Sequence, residues 1–123
     1  MKNIILDTNT LIAISEFKID IFSELRKACD FRYTVNIVRG TIDELEKIVK
    51  EQRGKYKLAA KLALSLLNAK EVNILPETGY VDNILVDYSK KGYLILTQDI
   101  GLKKRLTKPY LTIRQKKKII VVK

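Results

Sequence analysis

Four carboxylates stand where a chain of alternating strands and helices would present them together. Asp7 directly follows Ile4-Ile5-Leu6, Glu44 follows the run ending at Val38, Asp82 follows Val72-Asn73-Ile74-Leu75, and Asp99 follows Tyr93-Leu94-Ile95-Leu96. In a parallel α/β sheet all four would gather outside the carboxyl ends of the strands, where ligands of such sheets sit. Like charges within ~4–6 Å raise one another's pKa, a standing cost unless a cation neutralises them. Oxygen-only ligands select Mg²⁺ or Mn²⁺ over zinc or copper. Such an ion bridges carboxylates to a substrate phosphate and lowers the pKa of a bound water. The chain has no His and a lone Cys29. That composition excludes Ser–His and Cys–His triads, the usual zinc sites, an intrachain disulfide and a thiolate metal cluster. Water activated by a metal ion is then the nucleophile to expect. Lys103, Lys104 and Arg105, just past Asp99, would hold flanking phosphates.

Each acid also has a simpler role open to it. Asp7 and Asp99 could cap the helices that follow them. Thr41-Ile42-Asp43-Glu44 fits a capping box, with Thr41 as N-cap and Glu44 in the first turn. Asp82 would favour the positive end of its helix. A cap could as easily be Ser or Thr, whereas this chain places acids near all four strand ends.

The elements that must position these groups follow from periodicity. Continuous aliphatic runs at Ile4–Leu6 and Tyr93–Leu96 read as buried strands of a parallel sheet. Tyr33–Val38 is rich in β-branched and aromatic residues, and Val72–Leu75 is a short strand closed by Pro76. Helical spacing marks a short helix from Leu11 and others at Ile19–Ala28, from Ile42, Tyr56–Ala69, Gly79–Lys90 and Ile100–Leu106. On Tyr56–Ala69 the face Leu58, Ala59, Leu62, Ala63, Leu66 predicts core packing. Leu111–Ile113 and Lys118–Val122 read as one last strand with a break. Strands alternating with helices argue for α/β architecture around a central, mainly parallel, four- to five-stranded sheet flanked by helices.

At 123 residues the chain fits one domain with a real core. No apolar run approaches a membrane span, and Met1-Lys2-Asn3 leads straight into the first strand, so a cytoplasmic location is expected. The net charge of +10 is uneven. All 14 acids lie within residues 1–99, whereas residues 100–123 carry nine basic groups. The excess points to a polyanion-binding face with Arg114, Lys116 and Lys117 beside Lys103, Lys104 and Arg105.

Leu6-Asp7-Thr8-Asn9, Glu44-Leu45, Val81-Asp82-Asn83-Ile84-Leu85 and Leu96-Thr97-Gln98-Asp99, in this order and spacing, resemble the PIN-domain ribonucleases across nearly the whole chain. Tyr93–Leu106 and Ile113-Arg114-Gln115-Lys116-Lys117 look most like the archaeal relatives of the small-subunit rRNA-processing endonuclease. The resemblance implies a PIN-like, Rossmann-like three-layer sandwich over residues 1–123. It also implies a divalent-metal-dependent endoribonuclease acting on single-stranded RNA and leaving the phosphate on the 5′ side. Asp7, Glu44, Asp82 and Asp99 fall on the family's acidic positions as catalytic residues and ligands of Mg²⁺ or Mn²⁺. Thr8, Asn9 and Thr97 would orient metal, water or phosphate. A homodimer is in keeping with the resemblance, and precursor rRNA is the expected partner. Asn83 stands where those relatives often have a second acid, and Ile100-Gly101 where another is common, so a second metal would bind weakly or not at all.

Three other readings compete. One is the toxin of a toxin–antitoxin pair, with the same chemistry on another RNA and a small antitoxin protein as partner. Another is a non-catalytic PIN-like RNA-binding assembly factor, which needs the basic groups but not the acids. The third, a receiver-like phosphoacceptor domain, expects an acid pair after the first strand and an acceptor Asp after the third, and this chain has neither.

Overall fold

The computed structural model describes residues 1–123. The chain runs β1 (Lys2–Leu6), α1 (Thr8–Phe17), α2 (Ile21–Ala28), β2 (Tyr33–Val38), α3 (Arg39–Glu51), α4 (Lys55–Ala69), β3 (Asn73–Leu75), α5 (Val81–Lys90), β4 (Leu94–Leu96), α6 (Ile100–Arg105), β5 (Tyr110–Arg114) and β6 (Lys118–Val122). Six strands form one sheet in the order β3-β2-β1-β4-β5-β6. Every pairing is parallel except β5–β6. The expected four to five strands is therefore an undercount. Leu111–Ile113 and Lys118–Val122 belong to two antiparallel strands rather than to one interrupted strand. Gln115 and Lys116 both have left-handed backbone, with φ of 56° and 57°. Lys117 N–H donates to the Arg114 carbonyl at 3.1 Å, and two successive positive-φ residues inside such a bond make the tight turn that matches strand twist.

Successive strand residues face opposite sides, and the core divides accordingly. Ile4, Leu6, Ile37, Leu94 and Leu96 pack with Leu11, Leu25, Leu45, Ala60 and Ala63, so α1 to α4 cover one face. Ile5, Val38 and Ile95 pack with Val81, Leu85 and Leu102, so α5 and α6 cover the other. The result is a three-layer α/β sandwich. Strands buried on both faces need aliphatics at every position, which is why β1 and β4 read as unbroken apolar runs. Ile4, Ile5 and Leu6 are fully buried, each contributing about 1.5–3 kcal/mol.

The buried stripe of α4 differs from the expected one. Ala59, Ala60, Ala63 and Leu67 are buried, whereas Leu58 is 65% and Leu62 42% exposed. Small alanines let α4 lie close to α1 and α3, and this leaves the bulkier leucines outside. No helix is long and apolar enough to cross a membrane.

Candidate active site

From β1 the chain moves outward to β2 and then β3; it returns beside β1 as β4 and moves outward the other way through β5. Such a reversal opens a crevice at the carboxyl ends of the two central strands, here β1 and β4. Asp7 stands at this crevice. Its backbone is extended (φ −79°, ψ 149°), so its side chain continues the alternation of β1 and falls on the side of Ile5. Thr97 does the same after Ile95. The two meet: the Thr97 hydroxyl donates to Asp7 Oδ2 at 2.6 Å across 90 residues of sequence. Asp7 is only 2% and Thr97 0% exposed. Thr97 Oγ1 also accepts the Asp99 N–H at 3.0 Å, so one buried hydroxyl fixes both acids. The backbones are locked as well, with Asp7 N–H donating to the Leu96 carbonyl at 3.1 Å.

The capping roles hold in part. Asp7 is the N-cap of α1 and accepts from Asn9 N–H at 3.3 Å. Asp99 is the N-cap of α6, its Oδ1 accepting from Leu102 N–H at 2.9 Å. The capping box at Thr41 and Glu44 does not form. Helix α3 begins at Arg39, its N-cap is Val38, and it has no side-chain cap. Thr41 is instead buried inside the helix with its hydroxyl 3.2 Å from that of Thr8. Glu44 consequently lies in the second turn of α3, beyond the first turn where a capping role would place it. Asp82 is in the first turn of α5 and accepts weakly from the Tyr80 hydroxyl at 3.4 Å.

Gly40 sets the spacing between the helices that carry Glu44 and Asp82. A Cβ there would lie 3.1 Å from Val81 Cγ2 and 3.4 Å from the Gly79 carbonyl. Its N–H donates to the Glu77 carbonyl at 3.0 Å. The bare backbone lets the start of α3 seat against the loop that launches α5.

The four acids feel one another. Burial pushes the Asp7 carboxyl above its ordinary pKa; hydrogen bonds from Thr97 and Asn9 pull the other way, and the charges of Asp82 and Asp99 raise it further. Glu44 is also raised. It is exposed as a whole residue, yet lost hydration around its carboxyl leads the shift, opposed by a hydrogen bond with Thr8 and reinforced by Asp7 and Asp82. No three acids are disposed to close around one ion by themselves. The donor set still fits a hard divalent cation. Mg²⁺ demands oxygen ligands but keeps several waters and takes only one or two carboxylates, with substrate phosphates completing its shell.

The basic groups flank this rim. Lys103, Lys104 and Arg105 form the last turn of α6. Arg114 ends β5, and Lys116 and Lys117 lie in the following turn, at the same carboxyl edge because β5 runs parallel to β4. The Lys116 ammonium sits 5.4 Å from the Phe17 ring. Gln98, between Thr97 and Asp99, braces β5 by accepting from Thr112 Oγ1 at 2.9 Å and Ile113 N–H at 3.0 Å. The largest cavity lies elsewhere, lined by Lys2, Phe31, Leu94, Lys108, Pro109 and Lys123 near the amino end of β1. Thr41 and Gly40 escaped the sequence reading because the first resembles a cap and the second carries no side chain.

A mostly parallel α/β sheet with a buried Asp at its switch point and further acids at the same edge places oxygen ligands where domains of this class bind their ligands. Residues 4–116 match the profile of the PIN like domain family, and the chain belongs to that family. It is 32% identical over 125 residues to ribonuclease VapC4 of Methanocaldococcus jannaschii, covering 95% of this chain and 94% of that protein. It is 33% identical over 103 residues to ribonuclease VapC9 of Archaeoglobus fulgidus, covering 82% of this chain and 73% of the relative. The structure of the PIN domain endonuclease Utp24 superposes with a TM-score of 0.76 at 26% identity, over 97% of this chain and 90% of that one.

Proposed function

We propose that this chain is a divalent-metal-dependent endoribonuclease that hydrolyses phosphodiester bonds of single-stranded RNA, acting as one PIN-like domain. The observation that carries the proposal is Asp7, buried at the β1/β4 crevice, held by Thr97 and lying in the field of Asp82 and Asp99. Membership of the PIN family and likeness to proteins named ribonuclease and endonuclease support it.

Asp7, Glu44, Asp82 and Asp99 are the residues that would hold the ion, Mg²⁺ or Mn²⁺. Bound there, such an ion would offset charge building on the phosphodiester and lower the pKa of a water beside it. The chain's own residues do the positioning. Thr97 and Asn9 fix the rotamer of Asp7, and the α6 backbone holds Asp99. Lys103, Lys104, Arg105, Arg114, Lys116 and Lys117 receive phosphates on either side of the bond cut. Precursor rRNA is the substrate we favour, supported by the close superposition on Utp24 and by the resemblance of the C-terminal third to the rRNA-processing enzymes. A cytoplasmic location accords with such a substrate.

The similarity to two VapC ribonucleases favours a second reading, a toxin held by a small antitoxin protein, with the same residues in the same roles. Incubating single-stranded RNA with wild type and with Asp7→Asn, with Mn²⁺ and with chelator, tests the chemistry common to both. Cleavage with 5′-phosphate products by wild type in Mn²⁺ alone is the expected result. Cleavage surviving both chelator and substitution overturns the mechanism; binding without cleavage by either protein makes this the non-catalytic assembly factor.

A further inference from the structure

Asn83 follows Asp82 on α5 and stands where a second acid would deepen the negative pocket. Its side chain has other work. Arg105, the last residue of α6, donates from Nη2 to Asn83 Oδ1 at 2.7 Å, joining residues 22 apart in sequence. Both residues are exposed. The ion pairs of this molecule are Lys27–Glu24, Arg39–Asp43 and Lys47–Glu51, and Arg105 is in none of them. The guanidinium is therefore fixed in place by a neutral acceptor that leaves its charge uncompensated. A guanidinium has five N–H donors in a rigid fork, and one of them is used here. The rest match the oxygen spacing of a phosphate, which Arg binds bidentately.

Placement adds to this. Arg105 closes the short helix whose N-cap is Asp99, about 9 Å away at helical rise, and it is anchored one residue from Asp82. It thus sits beside the acidic rim, outside the acids themselves. The negative end of α6 also favours a cation at this position.

We propose that Arg105 binds a backbone phosphate flanking the scissile bond, and that Asn83 is the positioning residue that aims it. This deepens the ribonuclease reading and rests on it. An Asp at position 83 would enlarge the anionic pocket but tie up Arg105 in an ion pair, so the amide trades metal-binding capacity for a free phosphate-binding fork.

The test compares Asn83→Ala, Asn83→Asp, Arg105→Gln and the double variant Asn83→Ala/Arg105→Gln. Cleavage kinetics on a single-stranded oligoribonucleotide with Mn²⁺ are read alongside binding of the same RNA in an Asp7→Asn background, over a range of salt. Arg105→Gln should weaken binding roughly tenfold, the size of one lost charge-assisted contact, raise KM and leave kcat within about twofold. Its salt slope should fall by about 0.7, the single-strand value for one phosphate contact. Asn83→Ala should reproduce part of that loss and Asn83→Asp more of it, with the double variant no worse than Arg105→Gln alone. Melting temperatures should stay unchanged, since both side chains are exposed. Additive losses in the double variant, or an Asn83→Asp protein that binds RNA as wild type does, would overturn the proposal. Wild type that neither binds nor cuts RNA would remove the ribonuclease reading and this one with it; wild type that cuts while Arg105→Gln behaves normally removes this one alone.

Discussion

Thr97 offers the sharpest perturbation of the site because its hydroxyl is fully buried and serves two acids at once. Replacing it with Val keeps the branched shape and removes only hydrogen bonding. The 2.6 Å bond to Asp7 is charge-assisted, and losing such a bond costs about 1.5–3 kcal/mol, while the Asp99 N–H left without its acceptor adds about 0.5–1.5. Thr97→Val should therefore destabilise the fold by about 2–4 kcal/mol, or roughly 8–15 °C for a domain of this size. Thr97→Ser keeps the hydroxyl and loses one methyl, at about 1 kcal/mol. Because the Thr97 bond lowers the Asp7 pKa, its removal lifts that pKa further. The acid limb of the pH–rate profile should then move to higher pH in Thr97→Val and stay put in Thr97→Ser. For the same reason the stability gap between the two variants should narrow as the pH falls and Asp7 takes up a proton. Thermal melts in metal-free buffer and cleavage rates across pH read both effects. A Thr97→Val protein as stable as Thr97→Ser, with an unmoved acid limb, would refute the claim that this hydroxyl organises the site.

Other outcomes follow from the same geometry. The Asp7 pKa is raised in the folded state above 3.8, so the fold holds that proton to higher pH than the unfolded chain does. The stability this gives is full below pH 3.8 and is lost as the pH rises through the folded value. Asp7→Asn escapes that loss, so it should melt higher than wild type at pH 7 without metal and lose its advantage in acid; a lower melting point at pH 7 contradicts the burial argument. Gly40→Ala must push against Val81 Cγ2 at 3.1 Å, and Val81 is itself buried. Overpacking of about 1–3 kcal/mol should outweigh the ~1 kcal/mol gain in helix propensity, giving a net loss of about 1 kcal/mol by denaturant titration and a larger proportional loss of metal-dependent activity. Replacing Lys103, Lys104 and Arg105 with Gln should flatten the salt dependence of RNA binding by about 2, at ~0.7 per phosphate contact on single strands; an unchanged slope removes α6 from the RNA surface.

What could be read before folding and what could not divides along physical lines. Strands β1 and β4 announced themselves because burial on both faces requires unbroken aliphatics, and that fixed where Asp7 and Asp99 fall. Helix α3 hid its start because Val38 caps it without a side-chain bond, while Thr41 and Glu44 mimic a capping box one turn too late. Helix α4 carries Leu or Ala on most of its surface outside the stripe of Lys57, Lys61, Ser65 and Asn68, so its periodicity is plain while the exact centre of its buried face is not. The choice of Ala59, Ala60 and Ala63 over Leu58 and Leu62 was made by the closeness of its neighbours. The turn at Gln115 and Lys116 has neither Gly nor Asn to advertise left-handed backbone, and so β5 and β6 read as one strand. Within the site, residue types pointed to an oxygen-lined cation pocket. The bond between Thr97 and Asp7 and that between Arg105 and Asn83 join residues 90 and 22 apart, and no local pattern encodes such partners. Nor does composition say how tightly four acids converge. They share a rim and a field, but an ion must find water or phosphate to complete its shell.

Anomalous scattering from a crystal soaked in Mn²⁺ puts the central claim at most direct risk. A peak within coordinating distance of the Asp7 carboxylate, shared with Asp82 or Asp99 and completed by waters, is the expected result, and it should vanish in Asp7→Asn. Manganese bound only away from the β1/β4 crevice, in a protein that still cuts RNA when Mn²⁺ is supplied, would contradict it.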